Sequence, residues 1–220
     1  MCKSAIVNIQ IYSTLLSQYP INWQTWQEDI KTFLDLLEQW NDVVGLVSKT
    51  DLSEKCIHHI EDSLSLVPYI LPKLIDGEGF WLDIGTGSGF PAIPILLISK
   101  QIKAILVERK IRKVGFLQML ISKFQLNNTK VICNEFPACV KELASIEKQI
   151  RIVTSKGVEH PERLAKFLSH WLSEDTYYLC QSPKVLGLFH SGQFVKTIIQ
   201  DEFSQHNLRR GNLTIIHRKP

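Results

Sequence analysis

Phe80-Trp81-Leu82-Asp83-Ile84-Gly85-Thr86-Gly87-Ser88-Gly89-Phe90-Pro91 decides how the rest of this 220-residue chain is read. The apolar run at 80–84 has the length of a short buried strand, and it breaks into a turn with glycine at every second position. Glycine tolerates positive φ and lets a ligand approach the backbone. Pro91 suits the first turn of a helix, where a missing N–H costs little. A strand, a glycine turn and a helix start therefore follow one another, and the helix N-terminus behind such a loop favours negative charge. Asp83 breaks that simple picture. A loop built only for a pyrophosphate gains nothing from a carboxylate in front of it, whereas a ligand carrying a positive group does. The dinucleotide fingerprint Gly-x-Gly-x-x-Gly also fails, because Phe90 stands at its third glycine position.

The spacing Asp83-x-Gly85-x-Gly87-x-Gly89 resembles motif I of the class I S-adenosylmethionine-dependent methyltransferases. That cofactor carries a sulfonium and an α-amino group and no phosphate.

Working outward, the chain ahead of this stretch is helical. Residues up to about 20 suit a short helix or an arm. From Asn22, a good N-cap, Trp26, Ile30, Phe33, Leu34, Leu37, Trp40 and Val44 recur at helical spacing. Ser53 starts a second helix, with Ile57, Ile60, Leu64 and Val67 on one face, which ends at Pro68 or Pro72. Residues 1–75 form an N-terminal helical extension, joined by a Gly-containing loop to an α/β core over 76–220. Beyond the glycine loop, helices are expected over 91–100, 112–124, 137–147 and 161–172. Strands are expected over 103–108, 130–133, 150–155 and 177–180. Two strand-like segments, 193–200 and 213–218, close the chain and pair as a hairpin. The pattern predicts an α/β fold with a seven-stranded, mostly parallel sheet, helices on both faces and an antiparallel C-terminal hairpin.

Composition sets the outer bounds. Hydrophobic content of 45% and charged content of 21% suit a globular domain, and a net charge of +3 leaves any anionic partner to local patches. Five scattered cysteines without a Cys-x-x-Cys predict neither a disulfide framework nor a zinc site, so no metal is expected and the thiols are read as reduced, as in a cytoplasm. The longest apolar run is too short to cross a bilayer, and no membrane partner is expected.

Further candidates follow from position. Glu108 ends the second strand about twenty residues after the loop, where an acid hydrogen-bonds ribose hydroxyls in doubly wound folds. Asn134, Glu135 and Phe136 follow the third strand and suit an adenine. Arg109-Lys110-Ile111-Arg112-Lys113 is a basic run at a helix start, suited to phosphates or to plain solvation. Arg209-Arg210 and Arg218-Lys219 are candidates for the same surface. His59 and Asp62 share a helix face.

Together Trp40-Asn41, His59-Ile60-Glu61-Asp62-Ser63-Leu64, the 82–94 stretch with its Gly-Phe-Pro-x-Ile-Pro tail, Leu106-Val107-Glu108 and Arg112-Lys113-Val114-x-Phe116-Leu117 resemble the bacterial small-subunit ribosomal RNA guanine-N7 methyltransferases, the glucose-inhibited division protein B family. The resemblance implies S-adenosyl-L-methionine as cofactor and 16S ribosomal RNA or the small ribosomal subunit as partner; a monomer is expected. It implies a methionine end held by Asp83 and the backbone of Gly85, Thr86, Gly87 and Gly89, with Phe90, Ser155, His59 and Asp62 around the cofactor. It puts Glu108 on the ribose, and Arg109, Arg112, Lys113 and Lys156 towards the RNA. No residue is implied as acid or base, since guanine N7 already presents its lone pair. Some positions depart from the family: Gly45-Leu46-Val47 stands for Asn-Leu-Thr, Asn134 or Glu135 for an arginine, Ser155-Lys156-Gly157 for Ser-Arg-Ala, and Cys180-Gln181-Ser182 for a stretch with Lys-Gly. Lysine at 156 keeps the charge and loses the bidentate fork. The drift on the substrate side leaves room for a same-fold methyltransferase acting on a small molecule or protein, or for a cofactor-binding module without activity.

Overall fold

The computed structural model describes residues 8–181 and 183–220. Cys2, the start of the N-terminal arm and Ser182 lie outside the described residues.

The chain opens with α1 (Ile9–Leu15) and the long α2 (Trp23–Val44). Asn22 caps α2 by accepting the Thr25 amide at 3.1 Å. Gly45 ends it in the left-handed region, where glycine has no steric penalty. The inward stripe of α2 is Trp26, Ile30, Phe33 and Leu37, all essentially inaccessible, and its burial contributes about 8 kcal/mol at most.

Ser53, expected to start a helix, instead ends a short one, α3 (Lys49–Ser53), and the single helix expected beyond it is two, α4 (Ile57–Leu64) and α5 (Val67–Leu74). Lys55 and Cys56 take positive φ and separate α3 from α4. Pro68 begins α5 instead of ending α4, and Pro72 lies inside α5. The sheet then starts with β1 (Phe80–Ile84), followed by α6 (Ala92–Leu96), β2 (Ala104–Glu108), α7 (Ile111–Phe124) and β3 (Thr129–Cys133). Helix α6 is half its expected length. Pro94 sits inside it, and the Pro94 carbonyl accepts the Trp26 indole N–H at 2.9 Å, which ties α2 to α6. The next helix is also shorter than expected, α8 (Val140–Leu143) and a 3-10 turn ahead of β4 (Ile150–Ser155). The chain closes with α9 (Pro161–Trp171), β5 (Tyr177–Cys180), β6 (Phe194–Ile198), α10 (Glu202–Gln205) and β7 (Thr214–Arg218). The two last strands pair antiparallel as expected, with the one-turn helix α10 between them.

Among the described residues, seven strands make one sheet in the order β3-β2-β1-β4-β5-β7-β6, with only the β7 pairings antiparallel. Strand alternation divides the interior in two. Trp81, Ala104, Leu106 and Ile152 face the N-terminal helices and α7, in a cluster that continues to Phe203 and Leu213. Leu82, Ile84, Ile105, Val107 and Val153 face the opposite side, towards α9. The N-terminal helices therefore share one core with the sheet. By the same alternation Asp83, directly opposite Thr154 across the β1–β4 pair, points towards the N-terminal helices.

Candidate functional site

Strand order reverses between β1 and β4, and a crevice at the carboxyl ends of strands at such a point is where doubly wound folds bind ligands. A cavity of about 970 Å³ opens there. Its floor is the loop after β1. Gly85, Gly87 and Gly89 take φ of +73°, +62° and +102°. A Cβ on Gly85 would lie 2.9 Å from Val158, and one on Gly89 2.6 Å from Ile93, so two of the three are also required sterically. The loop is stitched to β2. The amides of Gly85 and Thr86 donate to the Val107 carbonyl at 2.8 and 3.1 Å. The Gly87 amide donates to Glu108 Oε2 at 3.0 Å, and Glu108 Oε1 accepts the Lys110 amide at 2.8 Å. Each Glu108 oxygen still has a lone pair to offer a hydroxyl, and the carboxylate lines the cavity.

Asp83 lies beneath this loop, buried and off the cavity wall. Its Oδ1 accepts the Thr154 hydroxyl at 2.6 Å, and the Trp81 indole N–H donates to that same hydroxyl oxygen at 2.8 Å. Trp81 thereby holds the Thr154 hydroxyl in its donor orientation towards Asp83. Oδ2 is buried without a hydrogen bond. Burial pushes the carboxyl up to about 7, against the pull of the Thr154 hydroxyl. A buried, half-satisfied acid is an unstable arrangement that a nearby positive charge relieves.

The wall nearest the N-terminal helices is built around a second buried acid. Asp62 accepts Lys156 Nζ at 2.8 Å, the Arg210 amide at 2.9 Å, and Arg210 Nε and Nη2 at 3.2 and 3.0 Å. Burial alone would raise its pKa, but Lys156 and Arg210 hold it below the ordinary value. Arg210 Nη2 also reaches His59 Nδ1 at 3.1 Å, while His59 Nε2 lies 3.3 Å from Asp51. His59 therefore accepts at Nδ1 and donates from Nε2. Burial, then Lys156 and Arg210, lower its pKa and keep it neutral. Its ring stacks on Phe90 at 5.1 Å between centroids.

Of the residues singled out in the sequence, Gly85, Thr86, Gly87, Phe90, Glu108, Asn134, Glu135, Phe136, His59, Arg109, Lys113 and Lys156 line the cavity. Asp83, Gly89, Ser155, Asp62 and Arg112 do not. Asp62 was expected on the cofactor pocket, but its carboxylate is consumed by the two cations behind the wall. The Ser155 hydroxyl is turned to Tyr178 at 2.8 Å. Lys156, expected to face RNA, lines the cavity with its side chain mostly buried and its ammonium paired to Asp62. The arginines near the C-terminus, expected on the RNA surface, are held by the protein itself. Arg209 is buried in ion pairing with Asp201, Arg210 is pinned to Asp62, and Arg218 donates to the Ser169 and Leu172 carbonyls. Sequence reasoning missed the rim formed by Leu46, Val47, Ser48 and Asp51, and the wall formed by Val158, Arg163 and Phe167. The signal for the first was Asn41, whose Oδ1 accepts the amides of Leu46 and Val47, both at 2.9 Å. Phe167, stacked edge-on against Phe136 at 5.2 Å, could be found only once α9 was placed over β4.

This strand order, with a glycine loop on a buried acid and a second acid on the neighbouring strand, is that of the class I S-adenosylmethionine-dependent methyltransferase fold. A methyltransferase from Geobacter sulfurreducens superposes with a TM-score of 0.55 over 99% of both chains at 11% identity, which supports the fold alone. The family model described as GidB, rRNA small subunit methyltransferase G, matches residues 26–183, and the chain belongs to that family. Among relatives, the ribosomal RNA small subunit methyltransferase G of Coxiella burnetii (strain RSA 331 / Henzerling II) is 34% identical over 109 residues, 50% of each chain. The protein of that name from Neisseria meningitidis serogroup C is 27% identical over 155 residues, 70% of each chain. The chain thus spans about half the length of the Coxiella relative it matches.

Proposed function

We propose that this protein transfers a methyl group from S-adenosyl-L-methionine to a base of small-subunit ribosomal RNA, N7 of a guanine. Family membership supports the substrate class, and the observation that carries the cofactor is the pair of acids at the switch point. Glu108 presents a carboxylate to the cavity beside the amide of Gly87, and Asp83 leaves an unpaired, buried oxygen beneath the same loop.

The residues present fit this cofactor. Glu108 suits the ribose hydroxyls, Phe136 and Phe167 offer apolar faces to the adenine, and Asn134 and Glu135 offer polar atoms to its edge. The Cβ-free backbone at Gly85 and Gly87 allows close approach, and the Asp83 charge favours a cationic ligand. The cofactor supplies an electrophilic methyl group on a sulfonium.

What the chain contributes is orientation and electrostatics. Guanine N7 needs no general base, and neutral His59 with both ring nitrogens engaged is not placed to be one. Rate enhancement then comes from holding the nucleophile in line with the methyl group, the kind of positioning that contributes several kcal/mol. Methylation leaves the base positively charged. Asp51 is held ionised by the Ser48 hydroxyl and lies on the wall beside the His59–Phe90 stack, so a carboxylate and an aromatic face are available to that charge.

The test is incubation with methyl-labelled cofactor and small ribosomal subunits lacking base methylation, followed by mapping of the label. Label on one guanine N7 of the ribosomal RNA is the expected result. Absence of transfer to the subunit, or label on a protein of the subunit, would contradict the proposal.

A further inference from the structure

We propose that the lip formed by Trp40, Val43 and Ile111 outside the cavity is a docking platform for single-stranded nucleic acid flanking the base that enters it. This rests on the function proposed above and adds the surface that delivers the substrate. Among the described residues five large hydrophobic side chains are exposed, and three of them are Trp40, Val43 and Ile111, the last two 64% and 70% accessible. They are brought to one place by the fold. Trp40 and Val43 are neighbours one turn apart at the end of α2, and Ile111 is the first residue of α7. Arg112 Nη1 lies 3.5 Å from the Val43 carbonyl, which joins those two helix ends. The inner side of the same lip is the cavity rim, where Leu46 and Val47 are fastened by Asn41.

The charge around the lip selects the occupant. Lys110, Arg112 and Lys113 surround Ile111, and none of them makes an ion pair among the described residues. Lys110 and Lys113 line the cavity itself. The acids nearby, Glu38 and Asp42, belong to α2, so the cations lie on the α7 side of the lip. An unpaired strand offers phosphates to cations and free base faces to an aromatic or apolar surface. A duplex has the phosphates and no free base faces. A protein partner would use the apolar patch but would gain nothing from three cations without an ion pair among the described residues, two of which line the cavity.

The test compares Trp40→Ala and the double variant Val43→Ser/Ile111→Ser with the wild type. The solvent exposure of Val43 and Ile111 keeps the double variant folded. Probes are a fluorescein-labelled single-stranded RNA of mixed sequence, the same RNA annealed to its complement, and small ribosomal subunits. Both variants should bind S-adenosylmethionine as the wild type does. Each should bind the single strand about tenfold more weakly, with little change for the duplex, and should raise KM for subunits at unchanged kcat. Unchanged affinity for the single strand together with unchanged KM would overturn the proposal while leaving the methyltransferase reading intact. A raised KM with unchanged affinity for the bare strand would assign the lip to a subunit protein and also overturn it. A wild type that neither binds RNA nor methylates subunits would refute the underlying function as well.

Discussion

Asp62→Asn keeps the shape of a buried side chain and removes its charge. In the wild type that carboxylate accepts four hydrogen bonds, one from Lys156 and three from Arg210. Removing one partner of a buried ion pair typically costs about 3–5 kcal/mol, because the other charge is left uncompensated. The Lys156 side chain is 18% exposed and bears that cost, whereas the Arg210 side chain is 46% exposed and is partly rescued by water. The expected loss is therefore at the lower end, about 3 kcal/mol, or a fall in melting temperature of about 6–12 °C for a chain of this size. Urea unfolding and thermal melting at neutral pH measure it. The pH dependence gives an independent check. Burial raises the Asp62 pKa, but Lys156 and Arg210 outweigh it, so the folded value lies below the ordinary carboxylate value. Stability from such a group is complete above the unfolded pKa and is lost as pH falls through the folded one. The gap between wild type and Asp62→Asn should therefore be full at neutral pH and shrink below about pH 4. A variant within about 0.5 kcal/mol of wild type at neutral pH, or a gap that persists unchanged in acid, would refute the assignment.

Two other outcomes follow from the same geometry. The Asp83 pKa is raised to about 7 in the fold, so its contribution is present below the unfolded value and lost as pH rises through the folded one. Asp83→Asn should be more stable than wild type by up to about 4 kcal/mol at pH 8, with the advantage gone near pH 4. Denaturant curves at the two pH values check this, and equal stability at pH 8 would contradict it. Asn41→Ala leaves the Leu46 and Val47 amides without their acceptor and should cost about 1–3 kcal/mol. It should also loosen the cavity rim, seen as a raised KM for the RNA substrate with kcat nearly unchanged.

The parts of this molecule legible in its sequence are those fixed by neighbours along the chain. The β1 loop was readable because only glycine takes those φ values cheaply, and because the acid precedes it by two residues. Asn22 was likewise readable as the N-cap of α2, a local signal. The break between α3 and α4 was not readable, since Lys55 and Cys56 adopt positive φ without being glycine. The role of Asp62 was misread for a different reason. Its partners lie 94 and 148 residues away, and only the sheet order brings them together. The same applies to the arginines near the C-terminus. They are cationic in composition, but the half-buried Asp201 and the buried Asp62 had already claimed Arg209 and Arg210.

Asp83 acts as the charge beneath a site for a cationic nucleoside under the proposed function. Calorimetric titration of S-adenosylmethionine at pH 8 tests it, because the wild-type carboxyl is ionised there. The wild type should bind at one site, and Asp83→Asn should bind at least about tenfold more weakly, since an opposite charge in a protein environment contributes one to a few kcal/mol. Equal affinity for the two proteins, or no binding to the wild type, would contradict it.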